Sequence, residues 1–373
     1  MRKTFASIFA FILLAVVLVG LAFRPHTSFA PFMNASVSAS VAHDDVSGYH
    51  LLKRIPVPGD PSWDYLTLDA LTHRLFIAHG TKVDVVNVET DKVVGEIPDT
   101  PGVHGVALAP DLNRGFVSVG RAAQVTIFDL KTLATIGTAK TGENPDAIVY
   151  DPATKRVFTM NGRSDDATAI NASTGDVVGT IPLGGKPEFA VADGKGHIFV
   201  NLEDKSEELQ IDSKALKVTK QWSMAPCQSP SGLAMDVTHD RLFAGCRNQL
   251  LAVMDAKAGR VVTTLPIGEG VDANRFDPGT GYVLSSNGQS ATVTVIREDT
   301  PDKYTFLDNI PTARGARTME VNFQTHEVYL VTAQFGPPPA ATADNPHPRP
   351  AIVPGTFVVL VLTRTSGPMK MKR

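Results

Sequence analysis

A short phrase that recurs seven times along the chain restricts the fold more than any other feature of the sequence. The copies are Arg74-Leu75-Phe76, Arg114-Gly115-Phe116, Arg156-Val157-Phe158, His197-Ile198-Phe199, Arg241-Leu242-Phe243, Gly281-Tyr282-Val283 and Glu327-Val328-Tyr329. Their third residues are separated by 40, 42, 41, 44, 40 and 46 positions. A period of about 40 residues is typical of one four-stranded blade of a β-propeller.

Each copy divides into four strand patterns separated by turn residues. In the third copy, strand A is expected at 147–150, strand B at 156–160, strand C around 168–170 and strand D at 176–181. Helical periodicity is absent from the copies. An open sheet of so many strands would expose its edges, so the sequence predicts an all-β fold closed radially into a seven-bladed β-propeller with four antiparallel strands per blade.

The two ends of the repeat array predict how the ring closes. The seventh copy supplies strands A, B and C, the last at 357–362, and then the repeat pattern stops. Residues 49–57 have the pattern of a strand D and precede the first strand A. We therefore expect the N-terminal strand to complete the last blade.

The N-terminus has the pattern of an export signal. Arg2 and Lys3 precede an apolar run at 8–23, as in the charged and apolar regions of a signal peptide. The sequence predicts a signal peptide and linker at 1–42, a propeller at 43–364 and a basic tail at 365–373, and hence a periplasmic or extracellular protein. An uncleaved membrane anchor stays open, because sixteen apolar residues are near the lower limit for spanning a bilayer.

Three segments carry a resemblance to a known family, and it extends over roughly 50–362. They are Val125-Thr126-Ile127-Phe128-Asp129, Arg156 to Gly162 and Val177 to Pro187. They resemble the YVTN (YncE-like) β-propeller repeat of secreted bacterial and archaeal proteins. The resemblance implies the propeller fold, and no catalytic residue carries over with it. Similar propellers include surface proteins, a DNA-binding periplasmic protein and, more distantly, lactonases.

The charge of the chain argues against binding to double-stranded nucleic acid. Residues 1–42 hold three basic and no acidic residues, so the remainder has 32 − 38 = −6 formal charges. A duplex-binding protein needs a basic surface, which this chain offers at most as a local patch. We expect a monomer whose only association with a membrane is through the signal peptide.

The repeat separates scaffold residues from candidate site residues. Aspartates such as Asp69 and Asp151 end strand A in most copies, and arginines such as Arg74 and Arg156 begin strand B. Residues that recur in every blade are explained by the construction of the blade. We expect the aspartates to cap the turns and the arginines to pair with them.

Five positions before the turn aspartate, residue identity varies while polarity stays high. These positions hold Asp64, His104, Asp146, Glu188, Ser231, Asp272 and Thr318, with Arg317 adjacent to the last. Strand A is the innermost strand of a propeller blade, so these side chains should surround one mouth of the central channel. This ring is the predicted ligand-binding site.

The acids and the imidazole of the ring suggest a cation site. Asp64, His104, Asp146, Glu188 and Asp272 would suit Ca²⁺, Mn²⁺ or Mg²⁺ better than a soft metal. The alternative is a hydrated ring in which the side chains hydrogen-bond to neighbouring loops. The residues alone leave both readings open.

Loops that join strands B and C should return to the same face. They bring Arg163 and Arg247 beside the ring, and Trp63 is the nearest candidate aromatic contact. In the seventh copy this loop is long, at 334–356, and contains seven prolines. Such a loop forms a stiff strap. We expect it to lean over the channel mouth, or else to pack on the rim of the closing blade.

Cys227 and Cys246 are the only cysteines, and export would allow them to form a disulfide. Pairing of strands A and B about the turn at 237–240 sets Cys246 opposite Ser231, four residues after Cys227. We therefore predict a disulfide on the rim of the ring. With no other cysteine in the chain, a metal site built on cysteine is not expected.

Strong catalytic motifs are absent: the sequence has no nucleophile elbow, phosphate loop, zinc helix or haem attachment site. We expect an exported binding or scaffold protein, rather than an enzyme, that takes a small ligand, metal ion or protein partner at the channel mouth. One alternative is a metal-dependent, lactonase-like hydrolase with His104 or an acid as the general base. Another is single-stranded DNA binding with Trp63 as a stacking contact.

Overall fold

The computed structural model describes residues 46–59, 62–340, 348 and 350–365, and it contains seven four-stranded antiparallel sheets. This confirms the all-β, seven-bladed propeller. The described helices are two short 3-10 turns, Pro110–Leu112 and Gly120–Ala122. Within the described ranges, none of the helical segments has the length and apolarity needed to cross a bilayer. The predicted signal peptide and linker at 1–42 and most of the basic tail lie outside the described residues.

The strands follow one another in regular order from blade to blade. They are, from β1 to β28, Tyr49–Pro56; Leu66–Asp69, Arg74–His79, Lys82–Asn87 and Lys92–Ile97 in blade 1; Val103–Ala109, Arg114–Val119, Gln124–Asp129 and Thr135–Lys140 in blade 2; Pro145–Asp151, Arg156–Asn161, Asp166–Asn171 and Val177–Pro182 in blade 3; Pro187–Ala192, His197–Leu202, Glu207–Asp212 and Lys217–Ser223 in blade 4; Pro230–Asp236, Arg241–Cys246, Leu250–Asp255 and Arg260–Pro266 in blade 5; Val271–Asp277, Tyr282–Asn287, Thr292–Thr300 and Lys303–Pro311 in blade 6; and Met319–Val321, Val328–Thr332 and Val358–Arg364 in blade 7.

Strands B and C form the middle of each blade and bury almost every side chain. In β11, Val157, Phe158 and Met160 are all fully buried. The outer strand D is different, since Val177 and Val178 of β13 are exposed. A strand buried on both faces reads as a continuous apolar run, and this explains why strands B and C are the clearest part of the repeat.

The ring is closed by the N-terminal strand, as predicted. The last sheet has the order β1-β28-β27-β26, so β1 occupies the strand D position of blade 7. Tyr49 pairs with Arg364 and Ile55 with Val359 in an antiparallel register. Tyr49 and Ile55 are each only 1% exposed, so the closing strand adds apolar core as well as backbone hydrogen bonds.

The arginines that begin strand B connect neighbouring blades. Arg74 donates from Nη1 to the main-chain oxygen of Leu130 at 2.7 Å, and Arg156 donates to that of Ser213 at 2.6 Å. Arg74 also lies 3.3 Å from Asp69, the aspartate of its own turn. Arg156 makes no such pair within the described part of the chain, so its predicted pairing with the turn aspartate is wrong. A guanidinium offers several donors, and the adjacent blade presents turn carbonyls that need them.

Hairpin geometry places the start of strand A beside the end of strand B. Pro145 pairs with Asn161 in blade 3, and Val103 pairs with Val119 in blade 2. The first residues of strand A and the loops between strands B and C therefore lie on one side of the propeller. We call this side the channel-mouth face.

Candidate functional site

All seven predicted ring positions lie at or just before the beginning of strand A on the channel-mouth face. They are Asp64, His104, Asp146, Glu188, Ser231, Asp272 and Thr318. Hydrogen bonds and ion pairs join these positions from blade to blade for most of the circumference. The repeat therefore identified, as neighbours in space, residues that are up to 254 positions apart along the chain.

In blades 1 to 3, one imidazole lies between two carboxylates. His104 Nδ1 is 2.7 Å from Asp64 Oδ2 and 3.6 Å from Asp146 Oδ1. Burial disfavours the charged imidazole, but the hydrogen bond to Asp64 and the negative charge of Asp146 together raise the pKa of His104 to about 9, and a hydrogen bond to Asn144 adds to this effect. His104 is therefore an imidazolium at neutral pH and balances one of the two acids.

In blades 5 to 7, the positive charge of Arg317 balances the nearby carboxylates. Its Nε donates to Asp272 Oδ2 at 2.8 Å, and its Nη2 lies 3.7 Å from Asp64 Oδ1. Nη2 also donates to the main-chain oxygen of Trp63 at 3.0 Å. The hydroxyl of Ser231 donates to the other oxygen of Asp272 at 2.9 Å. Both oxygens of the Asp272 carboxylate are thus hydrogen-bonded.

At the junction between blades 3 and 4, the negative charges are balanced less completely, because the nearest cations lie 3.5 to 3.6 Å from the carboxylates. Among the described contacts, none joins Asp146 to Glu188, although Lys186 Nζ lies 3.5 Å from Glu188 Oε2. Burial raises the pKa of Asp146 to about 7, because burial and the charges of Asp64 and Asp272 outweigh the opposing charge of His104. Burial and the charge of Asp146 raise the pKa of Glu188 to about 8. Glu188 therefore keeps its proton at neutral pH while Asp146 is partly ionised, and this pair is the part of the ring that would gain most from a cation.

Three of the five predicted metal ligands form a compact group. Ligand atoms of Asp64, His104 and Asp146 all lie within 4.8 Å of one another. The carboxylates of Asp272 and Glu188 are instead held by Arg317 and Lys186. Two carboxylates and one nitrogen can bind Mn²⁺ or Mg²⁺ with water completing the shell, whereas Ca²⁺ usually takes six to eight oxygens. The residues present thus fit a partial ligand set rather than a five-residue cage.

A cavity of about 730 Å³ opens above blades 1 to 3 of the ring. It is lined by Ser62, Trp63, Asp64, Gly80, Thr81, Gly102, Val103, His104, Gly120, Arg121, Ala123, Glu143, Asn144, Arg163 and Arg317. Arg163, predicted from its loop position, is on the wall, and Arg247 is not among the lining residues. Arg247 lies further round the rim, 2.7 Å from Glu203 Oε1. The volume is in the range of small-molecule sites.

The channel behind the ring is obstructed by aromatic side chains. Tyr65 of blade 1 and Phe189 of blade 4 meet with ring centroids 4.8 Å apart. The Tyr65 hydroxyl donates to the main-chain oxygen of Asp272 in blade 6 at 3.0 Å. Residues from three separate blades thus pack together just below the ring.

Trp63 lines the cavity, but most of its side chain is covered. Its side chain is 7% exposed and packs against Phe357 and Phe335, at centroid distances of 5.4 and 6.2 Å. Phe335 belongs to the proline-rich loop at 334–356, so the described base of that loop packs on the rim. Residues 341–347 and 349 of this loop lie outside the described residues, and its lean over the mouth stays a prediction. The indole Nε1 is buried and has no partner among the described groups.

The two cysteines are joined on the same face. Cys227 and Cys246 are disulfide-bonded, with Sγ atoms 2.03 Å apart. Cys246 ends β19 and pairs across the hairpin with Pro230, so the predicted position opposite Ser231 is wrong by one residue. The bond therefore connects the loop before strand A to the end of strand B beside the ring.

Sequence reasoning did not select three residues that the structure brings to the ring. Arg121 and Asn144 line the cavity, and Lys186 ion-pairs with Glu188 and Glu203. Arg121 follows strand B in blade 2, as Arg163 does in blade 3, so its loop position carried the necessary information. Asn144 and Lys186 each lie two residues before a ring residue, a position with no recurring residue type.

The raised pKa of Glu188 predicts how stability depends on pH at this site. The folded state keeps a proton up to about pH 8, whereas an unfolded glutamate releases it near its ordinary value of 4.5. The stabilisation is therefore complete below about pH 4.5 and is lost as the pH rises through 8. We expect the Glu188→Gln variant to match the wild type at pH 4.5 and to be more stable by at least about 2 kcal/mol at pH 9.

Urea unfolding across this pH range, with a chelator present, measures the effect. Glu89→Gln is the control, because that side chain is 63% exposed on the outside of blade 1 and lies far from the ring. Parallel pH profiles for the wild type and Glu188→Gln would show that the Glu188 carboxylate does not keep its proton in the folded state.

Comparison with known protein families gives no match, and comparison with curated proteins gives none either. Solved structures do resemble the chain. A chain of hydrazine synthase from Kuenenia stuttgartiensis has a TM-score of 0.67 at 15% identity and covers 83% of this chain and 97% of its own length. The RRP9 WD40 repeats have a TM-score of 0.68 at 11% identity, with 84% and 97% covered. A chain of the mitotic checkpoint complex reaches 0.69 at 12%, with 95% and 100% covered. At such identities the likeness concerns the propeller fold alone.

Proposed function

We propose that this chain is an exported binding protein of the YVTN-like type, and that its channel-mouth cavity holds a small zwitterionic ligand. Export is supported by Arg2, Lys3 and the apolar run at 8–23, and the family by the repeat segments described above. The observation that carries the ligand class is the cavity itself. It combines an arginine-lined wall with an acidic floor inside one volume of about 730 Å³.

The wall suits an anionic group. Arg121 and Arg163 are both exposed on neighbouring loops, and within the described residues neither has a carboxylate partner. A guanidinium presents paired donors that match the two oxygens of a carboxylate. A ligand carboxylate between the two loops would therefore meet arginines that no protein acid already neutralises.

The floor suits a cationic group. His104 and Arg317 balance part of the charge of Asp64, Asp146 and Asp272, and Asp146 keeps a raised pKa of about 7 because it is buried near other acids. An ammonium group, or a divalent ion held by Asp64, His104 and Asp146, would stabilise the ionised form of Asp146. A ligand with an amine at one end and an acid at the other satisfies both surfaces.

A thermal-shift screen with capped and uncapped ligands tests the proposal. The panel contains the common amino acids and short peptides, each beside its N-acetylated and its C-amidated form, with and without Mn²⁺, Mg²⁺ or Ca²⁺. We expect uncapped members alone to stabilise the protein, by about 2.7 kcal/mol at a concentration near 100 times Kd. Titration calorimetry then measures the affinity of the best member.

Variants of the wall provide the matched comparison. Arg121→Ala combined with Arg163→Ala should abolish the shift, since both candidate carboxylate contacts are removed. Arg247→Ala should leave it unchanged, because Arg247 binds Glu203 outside the cavity. The proposal fails if capped and uncapped compounds bind equally, or if the double variant keeps the affinity of the wild type.

A metal-dependent hydrolase of the lactonase-like kind is the second candidate. It is favoured by the group of Asp64, His104 and Asp146, whose ligand atoms lie within 4.8 Å of one another at the floor of the cavity. A bound divalent ion there would polarise a carbonyl group or activate water. Turnover of a lactone and ester panel, lost on chelation and in Asp146→Asn, would support it. No turnover with Ca²⁺, Mn²⁺ or Mg²⁺ would remove it.

Single-stranded DNA binding receives less support from the geometry. Base stacking needs an accessible aromatic face, and Trp63 is 93% buried against Phe335 and Phe357. Arg121 and Arg163 alone form a short basic surface. A salt-dependent binding assay with oligonucleotides tests for this activity.

A further inference from the structure

A second group of metal-ligand side chains lies on the opposite face of the propeller, where blades 5 and 6 meet. Asp236 ends β18, His239 follows in the turn, and Glu298 lies near the end of β24. His239 Nδ1 is 2.5 Å from Asp236 Oδ2 and 3.2 Å from Glu298 Oε1. Ligand atoms of all three residues lie within 4.8 Å of one another.

The turn in blade 5 departs from the corresponding turns of blades 1, 3 and 6. In those turns the residue three positions after the aspartate is a threonine whose hydroxyl donates to the aspartate. The pairs are Thr72 with Asp69 at 2.5 Å, Thr154 with Asp151 at 2.7 Å and Thr280 with Asp277 at 2.9 Å. A hydroxyl is sufficient to cap this turn. His239 replaces it in blade 5 with a group that can also bind a metal.

The third ligand residue, Glu298, lies on an extension of strand C in blade 6. Strand C has six residues in each of blades 1 to 5, whereas β24, Thr292–Thr300, has nine. The pairing of β24 with its own strand B ends at Arg297, opposite Tyr282. Glu298 comes directly after that pair. The longer hairpin therefore carries a carboxylate beyond its own sheet to the turn of blade 5.

Among the described residues, the buried Glu298 carboxylate is poorly satisfied. The side chain is 4% exposed, and within the described residues its nearest donor is His239 Nδ1, 3.2 Å from Oε1, which does not reach it in hydrogen-bond geometry. The single proton on His239 Nδ1 is already directed at Asp236. Arg241, which lies beside the turn, is engaged by Asp302 at 3.0 Å and Asp255 at 3.4 Å. A poorly satisfied buried carboxylate is costly, and a cation at this point would remove the cost.

We propose that Asp236, His239 and Glu298 form a binding site for a divalent metal ion of the Zn²⁺ class that clamps blade 5 to blade 6. One imidazole nitrogen and two carboxylate oxygens form a ligand set that suits Zn²⁺, and Ca²⁺ would need more oxygens. Two carboxylates balance the charge of the ion. His239 is 46% exposed, which leaves a coordination position for water. On binding, the Nδ1 proton is released to water while Nε2 carries the ring proton, so that Nδ1 changes from hydrogen-bond donor to ligand.

Titration of the tag-free chain with ZnCl₂, followed by native mass spectrometry, tests this site. We expect the wild type to bind one zinc ion at this site. The conservative variant Glu298→Gln should bind that ion at least about tenfold more weakly. Substitution with Co²⁺ supplies an absorption spectrum that reports a bound nitrogen ligand. His239→Asn should lose that spectrum while the turn still has a side chain that can cap it.

Two controls separate this site from other candidates. His326 lies 2.7 Å from Asp277 in a similar imidazole–carboxylate pair that has no third carboxylate in the described metal-ligand groups, so His326→Ala should leave zinc uptake unchanged. Asp146→Asn removes a ligand on the opposite face and should also retain this ion, which keeps the test independent of the proposed function. Equal zinc stoichiometry and affinity in wild type and Glu298→Gln, or no zinc binding by the wild type, would overturn the proposal.

Discussion

Replacing Arg317 by alanine is expected to lower the free energy of unfolding by about 2–4 kcal/mol at pH 8. The change removes the donor at 2.8 Å from Asp272 and the cation at 3.7 Å from Asp64, and leaves both acids in a partly buried ring. Breaking a buried pair by removing one partner costs about 3–5 kcal/mol, and the 37% exposure of Arg317 reduces this figure through solvent screening.

The same reasoning gives a pH dependence and a rescue. Burial already raises the pKa of Asp272, and loss of Arg317 removes the charge that opposes this shift. The cost of Arg317→Ala should therefore shrink as the pH falls, because a protonated Asp272 no longer needs a cation. Combining Arg317→Ala with Asp272→Asn should recover most of the lost stability at pH 8.

Urea unfolding of the two single variants and the double variant measures the coupling directly. Arg247→Ala is the matched control, since its guanidinium is 59% exposed and its pair with Glu203 should contribute at most about 1 kcal/mol. An Arg317→Ala variant as stable as Arg247→Ala at pH 8 would mean that the charge of Arg317 does not contribute to the stability of the folded ring.

The number of blades and the residues of the ring could be predicted because equivalent positions in successive repeats occupy equivalent places in their blades. Once strand A was recognised in one blade, the same phase identified Asp64, His104 and Asp146 in the others. Each blade contributes one innermost strand, so a shared phase implies a shared location around the axis. The closing strand followed from the same count, since blade 7 lacked a strand D of its own.

The pairing of ring residues could not be read from the repeat. Asp272 and Glu188 were predicted as metal ligands, but their carboxylates are held by Arg317 and Lys186. Those two cations lie one and two positions before a ring residue, outside the phase that the repeat constrains. Which acid they reach depends on side-chain length and on the neighbouring blade.

The burial of Trp63 also could not be predicted from the repeat. Phe335 and Phe357, which cover its indole, follow it by 272 and 294 positions and belong to the last blade. That contact exists only because the ring closes blade 7 against blade 1. Local patterns around Trp63 therefore could not distinguish an exposed stacking aromatic from a buried one.

Removal of the closing strand should have the largest effect of all. A chain that begins at Val57 lacks β1 and leaves β28, Val358–Arg364, as an unpaired apolar edge, whereas a chain that begins at Val46 keeps the pairing. The deleted segment includes Tyr49 and Ile55, each 1% exposed, whose burial alone contributes several kcal/mol. The total loss, about 5 kcal/mol or more with the backbone hydrogen bonds, is comparable with the stability of a whole domain.

Size-exclusion chromatography and thermal unfolding of the two truncated chains give the comparison. We expect the chain from Val46 to be a cooperatively folded monomer and the chain from Val57 to associate through its open edge. A synthetic peptide with the sequence of 46–57 should restore the monomer by adding the missing strand, and a peptide with proline in place of Ile55 should not, because it cannot complete the ladder. A monomeric chain from Val57 with unchanged thermal stability would show that the seventh blade does not need its fourth strand.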